Sequence, residues 1–394
     1  MFGLRGIGDR LASLERAVRR LEQAARERGP ALDERVSQLA DRVARQPGAK
    51  DLRELRQAVR ALAPRDDRQT LDEIGRMAAG DRPLLVGPWT GELGFELLYW
   101  IPFVAWLRSQ WNVPAGRLLV ISRGGVGDWY GVDASAYTDI FSLMPPEQFR
   151  TAVADAKRKQ RHQSPLDEEI VAAVRRARGL TAFEWVHPGV MYRLFAPFWS
   201  DEAGYARIDQ FTRYRCIAPP AGTARGDDPD EAAIGPLPSE YIAVRFYFSE
   251  CFPDTPGNRA FARSIVLSLA ERHPVVLLNP GFSVDEHEDW TPTAGGRVHT
   301  LADRLPPDRN LAMQAAVIRG ARAFVGTYGG YSYLAPMCRV PALAFHSRPM
   351  FKRHHLYAAE RAFGQMGAAP LTVVDVAAVP LAQAALAALE PAVS

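Results

Sequence analysis

Ile7, Leu11, Leu14, Val18 and Leu21 are spaced four, three, four and three apart, with Arg and Glu between them. That is the a/d rhythm of helices pairing along an apolar seam. It returns in Leu32, Val36, Leu39 and Val43, after Arg-Gly-Pro at 28–30, and in Leu52, Leu55, Val59 and Leu62, after Gln-Pro-Gly at 46–48. Pro and Gly interrupt a helix at both junctions, so the pattern predicts three short amphipathic helices and not one rod. None is long enough to be stable alone in water. Residues 1–80 are expected to form a coiled-coil-like helical segment, either a small antiparallel bundle or a stalk that joins copies into a homo-oligomer through residues 1–63. Its Arg-rich faces would also suit peripheral contact with an anionic membrane surface.

From Pro83 the period changes. "PLLVGPW" (83–89) is a short apolar run, "GELGFELLYWIPFVAWLRSQW" (91–111) reads as a helix and "RLLVISRGG" (117–125) as a second strand. Strand, helix, strand in that order implies a parallel sheet. Helical patterns follow at about 139–162 and 166–178, then an aromatic stretch at 183–199. Residues 218–238 are rich in Pro, Gly and acid and read as an exposed linker. A second α/β unit begins with "YIAVRFYFS" (241–249). It continues as a helix at 258–272, a strand at 274–280, a helix around 310–321, a strand at 323–327, a helix at 331–338 and a strand at 342–347. The expected fold is α/β, with two Rossmann-like lobes, 81–217 and 239–394, joined by 218–238 and preceded by the helical segment. Ligands of open α/β sheets sit at the carboxyl ends of the strands, so function is sought there.

Composition narrows the class. Of 394 residues, 47% are hydrophobic and 24% charged, the proportions of a globular protein. The longest apolar stretch, 93–107, is too short to cross a bilayer and contains Glu96 and Pro102, so a buried helix is expected. Charges run through the first helix, which argues against a secretory signal. Cys216, Cys251 and Cys338 are odd in number and far apart, as in a reducing, cytoplasmic setting, and suit neither a disulfide framework nor a zinc site. The net charge of +3 is uneven: residues 1–63 hold 14 Lys/Arg against 9 Asp/Glu, a net of +5, which leaves −2 for the rest. The basic character belongs to the first segment, and the body is not expected to bind nucleic acid.

Thr327, Tyr328, Gly329 and Gly330 fall where a strand ends and a helix starts. Amides at a helix start favour an anion, and glycine permits close backbone approach; a tight turn that merely packs is the alternative. Arg245 stands inside an apolar strand, so it either lines a cleft or is paired, with Asp285 or Glu250 as partners. Asp285, His287 and Asp289 alternate within "VDEHEDW" (284–290); a polar loop that contacts a ligand or closes the cleft is preferred over a metal site. In "GPWTGELGFELLYWIP" (87–102), Glu92 and Glu96 are four apart on one predicted helical face, and Glu92 is nearest the helix start, where it could equally act as a cap. Trp89 and Trp100 offer faces for sugar stacking or belong to the core. Arg123 beside Gly124 and Gly125 suits an acidic acceptor or a phosphate, or is a plain loop residue; His187 is a structural histidine or a base; "KRKQRH" (157–162) reads as a solvated helix end.

The stretch 310–347, helix, strand, glycine-containing turn, helix and strand, resembles the donor-binding half of bacterial GT-B glycosyltransferases of the heptosyltransferase-like and capsule or O-antigen kind. The resemblance runs from about Pro83 to the C-terminus. It implies a glycosyltransferase moving a sugar from a nucleotide-sugar donor to a glycan or surface-polysaccharide acceptor, inverting and metal-independent, cytoplasmic or peripheral at the inner membrane face, with no cofactor. It would place the diphosphate on Thr327, Gly329, Gly330 and Ser332, with Tyr328 or Tyr331 against base or sugar. Arg245 and Lys352 would neutralise the diphosphate, and Asp285 and His287 would lie in the nucleotide loop. Inversion needs a base for the acceptor hydroxyl, a part that Glu92, ahead of Glu96, would take. A pyruvyl transferase on the same body, using phosphoenolpyruvate, and a non-catalytic coiled-coil scaffold are the rival readings.

Overall fold

The computed structural model describes residues 67–156, 160–217, 229–279, 281, 288–290, 295–302, 304–348, 351 and 353–379. The three helices expected before residue 63, most of the 218–238 linker, and Asp285, His287 and Lys352 lie outside the described residues. Of the described residues, those within 70–195 and 205–379 group into one compact unit, and 67–69 and 196–204 into another. In the described part of the latter, Ser200 Oγ donates to the Ala196 carbonyl at 2.9 Å, closing a helix end.

The first sheet has the order β3-β2-β1-β4, built from β1 (Leu84–Val86), β2 (Leu118–Ser122), β3 (Tyr137–Asp139) and β4 (Glu184–Val186), all parallel. Helix α1 (Asp67–Ala79) precedes β1. Helix α2 links β1 to β2; it starts as Leu93–Phe95, passes through a π turn at Glu96–Trp100 and continues as Ile101–Gln110. Proline causes the irregularity. Pro102 has no N–H for the Leu98 carbonyl, and the Tyr214 hydroxyl donates to that oxygen instead, at 2.9 Å. Beyond β3 come α3 (Pro146–Ala156) and α4 (Pro165–Ala177); β4 leads into α5 (Gly189–Trp199). Leu85, Ile121, Ile140, Phe149, Ile170 and Val174 form the core between this sheet and its helices. The helical pattern expected over 139–162 is in fact β3, a 3-10 turn and α3. Beyond α3, Gln160 is buried and donates to the Pro88 carbonyl and to Asp167, both at 2.9 Å, instead of ending a solvated helix.

The second sheet has the order β12-β11-β10-β5-β7-β9 and is parallel throughout. Its strands are β5 (Ile242–Arg245), β7 (Val275–Leu277), β9 (Val298–Thr300), β10 (Ala323–Thr327), β11 (Ala342–His346) and β12 (Leu371–Asp375). A separate antiparallel pair joins β6 (Tyr247–Phe248) to β8 (Glu288–Asp289). Helices α6 (Pro256–Arg272), α7 (Asn310–Gly320), α8 (Gly330–Met337) and α9 (Arg353–Met366) connect or flank these strands. Successive strands build outward from β5 through β7 to β9, then resume on its other side with β10, β11 and β12. This is doubly wound topology, and its direction reverses between β5 and β10. The central strands β5, β7, β10 and β11 read as mainly apolar runs because helices cover both faces of a parallel sheet. Val244, Phe246, Val275, Val325 and Phe345 make up its core. Among the described residues no helix is long and apolar enough to cross a membrane.

Candidate functional site

Arg245 ends β5 and Thr327 ends β10, so the two residues flank the reversal of the second sheet, where a crevice opens in folds of this type. Arg245 is held on three sides. Its Nε and Nη2 donate to the two carboxylate oxygens of Asp289, each at 3.0 Å, and Nη1 donates to Gln314 Oε1 at 2.7 Å. The Tyr331 ring lies 4.1 Å from the guanidinium carbon, a cation–π contact. Among the described residues the carboxylate partner is Asp289, brought over by β8; Asp285 lies outside them. Pairing makes a guanidinium whose side chain is only 11% exposed affordable in an apolar strand.

The turn after β10 differs from expectation in its details. Thr327 is fully buried; its hydroxyl accepts the Tyr247 N–H at 3.0 Å and donates to the Tyr247 carbonyl at 2.9 Å, tying β10 to β6. Ser332 is equally buried, accepting the Gly329 N–H at 3.0 Å and donating to the Gly329 carbonyl at 2.7 Å. Both hydroxyls bond to backbone and so help to build the turn. The Tyr328 hydroxyl accepts from that of Tyr333 at 2.6 Å. Gly329 has φ 154°, and a side chain there would overlap the Tyr247 hydroxyl. Gly330 serves close approach of the two lobes: a Cβ would sit 2.9 Å from the Gly94 nitrogen and 3.0 Å from Leu93 Cβ. What remains for an anion is backbone, since the first amides of α8 have no intrahelical acceptor.

The first lobe separates the two glutamates. Glu92 is exposed, stands in extended conformation before the helix and caps no amide, so it does not share a helical face with Glu96. Glu96 opens the π turn and is wholly buried. Its Oε1 accepts from the Ser122 hydroxyl at 2.5 Å and the Tyr130 hydroxyl at 2.6 Å, while Oε2 has no hydrogen-bond partner among the described residues. Burial raises its pKa from the ordinary 4.5 to about 7, against the opposing pull of Arg123, Ser122 and Tyr130. Asp139, at the end of β3, is pushed by burial to about 6, although it accepts the Gly125 and Phe141 amides and the Tyr137 hydroxyl. Arg123 is buried and donates through Nη2 to the Gly91 carbonyl.

His187 is structural. Its Nδ1 accepts the Gly189 amide at 3.0 Å, which leaves Nε2 to carry the proton toward Asp167 at 3.2 Å; the ring has no lone pair left for a substrate. Burial acts to raise the Asp167 pKa, but hydrogen bonds from His187 and Ser164 outweigh it and hold the carboxyl below its ordinary value. Trp89 and Trp100 are fully buried and stacked on each other at 6.0 Å, as core residues. Among the described residues no group of three or more His, Cys, Asp or Glu could hold a metal ion. Ser122, Tyr130, Asp139 and Gln314 are not singled out by the sequence; Ser122 lies in the expected strand at 117–125 and Gln314 in the expected helix around 310–321, but only their neighbours across the fold give them a role.

No protein-family profile matches the chain, and no curated protein matches it. Solved structures similar to it include two glycosyltransferases. One is the iron-containing dodecameric glycosyltransferase TibC of enterotoxigenic E. coli, 15% identical, with 67% of this chain and 58% of that one covered and a TM-score of 0.38. This chain thus spans a little over half the length of TibC. The other is a glycosyl transferase of family 9 from Veillonella parvula, 12% identical, with 79% and 90% covered and a TM-score of 0.40.

Proposed function

We propose that the protein is a glycosyltransferase that moves a sugar from a nucleotide-sugar donor to a hydroxyl of a glycan or surface-polysaccharide acceptor, with inversion and without a metal. The observation that carries this reading is Glu96: a buried carboxyl with a pKa of about 7, beside the glycine contact that joins the heads of α2 and α8. A general base works best with a pKa near the operating pH, and perturbed carboxyls of this kind cluster at reaction sites. Glu96 therefore takes precedence over the exposed Glu92. As the acceptor oxygen bonds to the anomeric carbon, its proton passes to Glu96 and the bond to the diphosphate oxygen breaks, the electron pair leaving with the diphosphate. Arg245, pre-positioned by Asp289 and Gln314, and the first amides of α8 offset the charge on the leaving group. Thr327, Gly329 and Ser332 shape that turn; Tyr331 lies beside Arg245 and faces the base or sugar. Asp285, His287 and Lys352 complete the nucleotide side in this reading. Residues 1–63 join copies of the chain.

The test is thermal stabilisation by UDP, GDP, ADP, dTDP, CMP and phosphoenolpyruvate, with Arg245→Gln beside the wild type. A ligand at 100 times its Kd adds about 2.7 kcal/mol of stability, a clear rise in Tm. One nucleotide should stabilise the wild type and lose its effect in the variant. A shift with phosphoenolpyruvate alone would instead indicate pyruvyl transfer, and silence across the panel would leave a scaffold.

A further inference from the structure

Arg123 follows Ser122, the residue whose hydroxyl holds Glu96, and both Arg123 and Glu96 are anchored at one end only. Nη2 of Arg123 is fixed on the Gly91 carbonyl, yet its buried Nε has no hydrogen-bond partner. Glu96 is fixed through Oε1, yet its buried Oε2 has none either. Arg123 is 5% exposed and Glu96 0%, so water outside the protein satisfies neither atom. They are close enough for Arg123 to be the strongest charge lowering the proton affinity of Glu96, but they form no ion pair. Orphaned buried polar atoms are costly, and here one is a donor and the other an acceptor. The other groups that bear on Glu96 are Ser122 from β2, Tyr130 from the short helix Gly127–Tyr130 and Asp139 from β3; Tyr137 and Asp308 lie beyond Asp139.

Resting on the transferase reading above, we propose that Arg123 Nε and Glu96 Oε2 together seat the reacting oxygen of the acceptor, with Arg123 as the residue that orients it. The Nε–H donates to that oxygen while the oxygen's own proton points at Oε2. A hydroxyl fits because it donates and accepts at one atom. A carboxylate or phosphate would set its charge against Glu96, and an ammonium has no lone pair for the Nε–H. During transfer the proton moves from the oxygen to Oε2, the oxygen lone pair forms the bond to the anomeric carbon, and Arg123 keeps its charge throughout. Gly91 and Ser122 hold the two ends of the seat on the loops after β1 and β2, so its geometry is set by the parallel sheet.

A crystal structure of the full chain refined with ordered solvent tests the seat without any substrate. One oxygen within about 3 Å of both Nε and Oε2 is expected; a direct Arg123–Glu96 contact overturns the proposal. Arg123→Lys keeps the charge but loses the planar fork. Infrared titration of the Glu96 carboxyl band should stay near wild type in Arg123→Lys, so that a loss of turnover in that variant cannot come from a changed proton affinity of Glu96. With whichever nucleotide-sugar the nucleotide panel identifies, Arg123→Lys should lower kcat about tenfold or more at unchanged donor KM. If a nucleotide binds and kcat is unchanged, the seat is wrong. If no nucleotide binds while the bridging oxygen is present, the transferase reading falls and the oxygen site stands.

Discussion

Burial decides what the carboxyls of the first lobe do. With a pKa of about 7 in the folded protein against an ordinary 4.5, Glu96 binds its proton more tightly folded than unfolded. Stability therefore falls as pH rises from about 4.5 to about 7 and levels off above, at a cost on the order of 3 kcal/mol. Glu96→Gln keeps the shape and removes the titration. It should flatten that window and gain up to about 3 kcal/mol at pH 8, read by urea unfolding at pH 5 and pH 8, with the smaller slope of Asp139 remaining. The same substitution should lower turnover by about 10²–10⁴-fold, and wild-type activity should rise with pH through about 7. A variant that is more stable and equally active would remove Glu96 from the chemistry while leaving its burial intact. Arg245 makes the complementary case: Arg245→Met removes both of its hydrogen bonds to the Asp289 carboxylate and should cost about 3 kcal/mol, much of it recovered in Arg245→Met/Asp289→Asn.

At the scale of elements, α2 shows how one proline shapes a site. Pro102 leaves the Leu98 carbonyl without its amide, the helix widens to an i to i+5 bond from Ile101 to Glu96, and the turn that results begins at Glu96 itself. Tyr214→Phe deletes the substitute donor and should destabilise by about 1 kcal/mol in thermal unfolding. An unchanged Tm would mean that the carbonyl finds another donor. The elements expected at 83–89, 117–125, 258–272, 310–321, 323–327 and 331–338 are present within a few residues, because their apolar periods are long and local. The strands β3, β9 and β12 were not legible. Tyr137–Asp139 and Val298–Thr300 each bury a single position, and β12 is a half-buried edge strand, so none carries an unbroken apolar run.

At the scale of the molecule, the lobes meet through both backbone and side chains. Gly330 lies on Leu93 and Gly94, the Gly124 carbonyl accepts the Ala312 amide at 2.9 Å, and the Tyr99 hydroxyl meets His355 Nδ1 at 2.7 Å. Gly330→Ala has an ordinary φ to adopt but no room, and should cost about 1–3 kcal/mol by forcing α8 from α2. If Gly330→Ala unfolds as wild type, the two helix heads separate readily. The heptad spacing between Ile7 and Leu62 predicts an oligomer that removal of residues 1–63 converts to a monomer, measured by light scattering; a monomeric full chain would end that proposal.

The sequence by itself determined the alternation of strands and helices, the parallel character of both sheets and the position of the 327–330 turn at a strand end, since each depends on residues within a few places of one another; Arg245, expected inside a strand over 241–249, instead ends β5, because the chain then pairs as β6 with the distant β8. It could not decide which carboxyl is buried, nor what holds Arg245. Glu96 meets Tyr130 across 34 positions, and Arg245 meets Asp289 across 44. Thr327 and Ser332, read as ligand contacts from their place in a turn, spend their hydroxyls on backbone, the former across 80 positions. Hydrogen bonding and desolvation at a point depend on everything that packs around it, and only the tertiary structure assembles those neighbours.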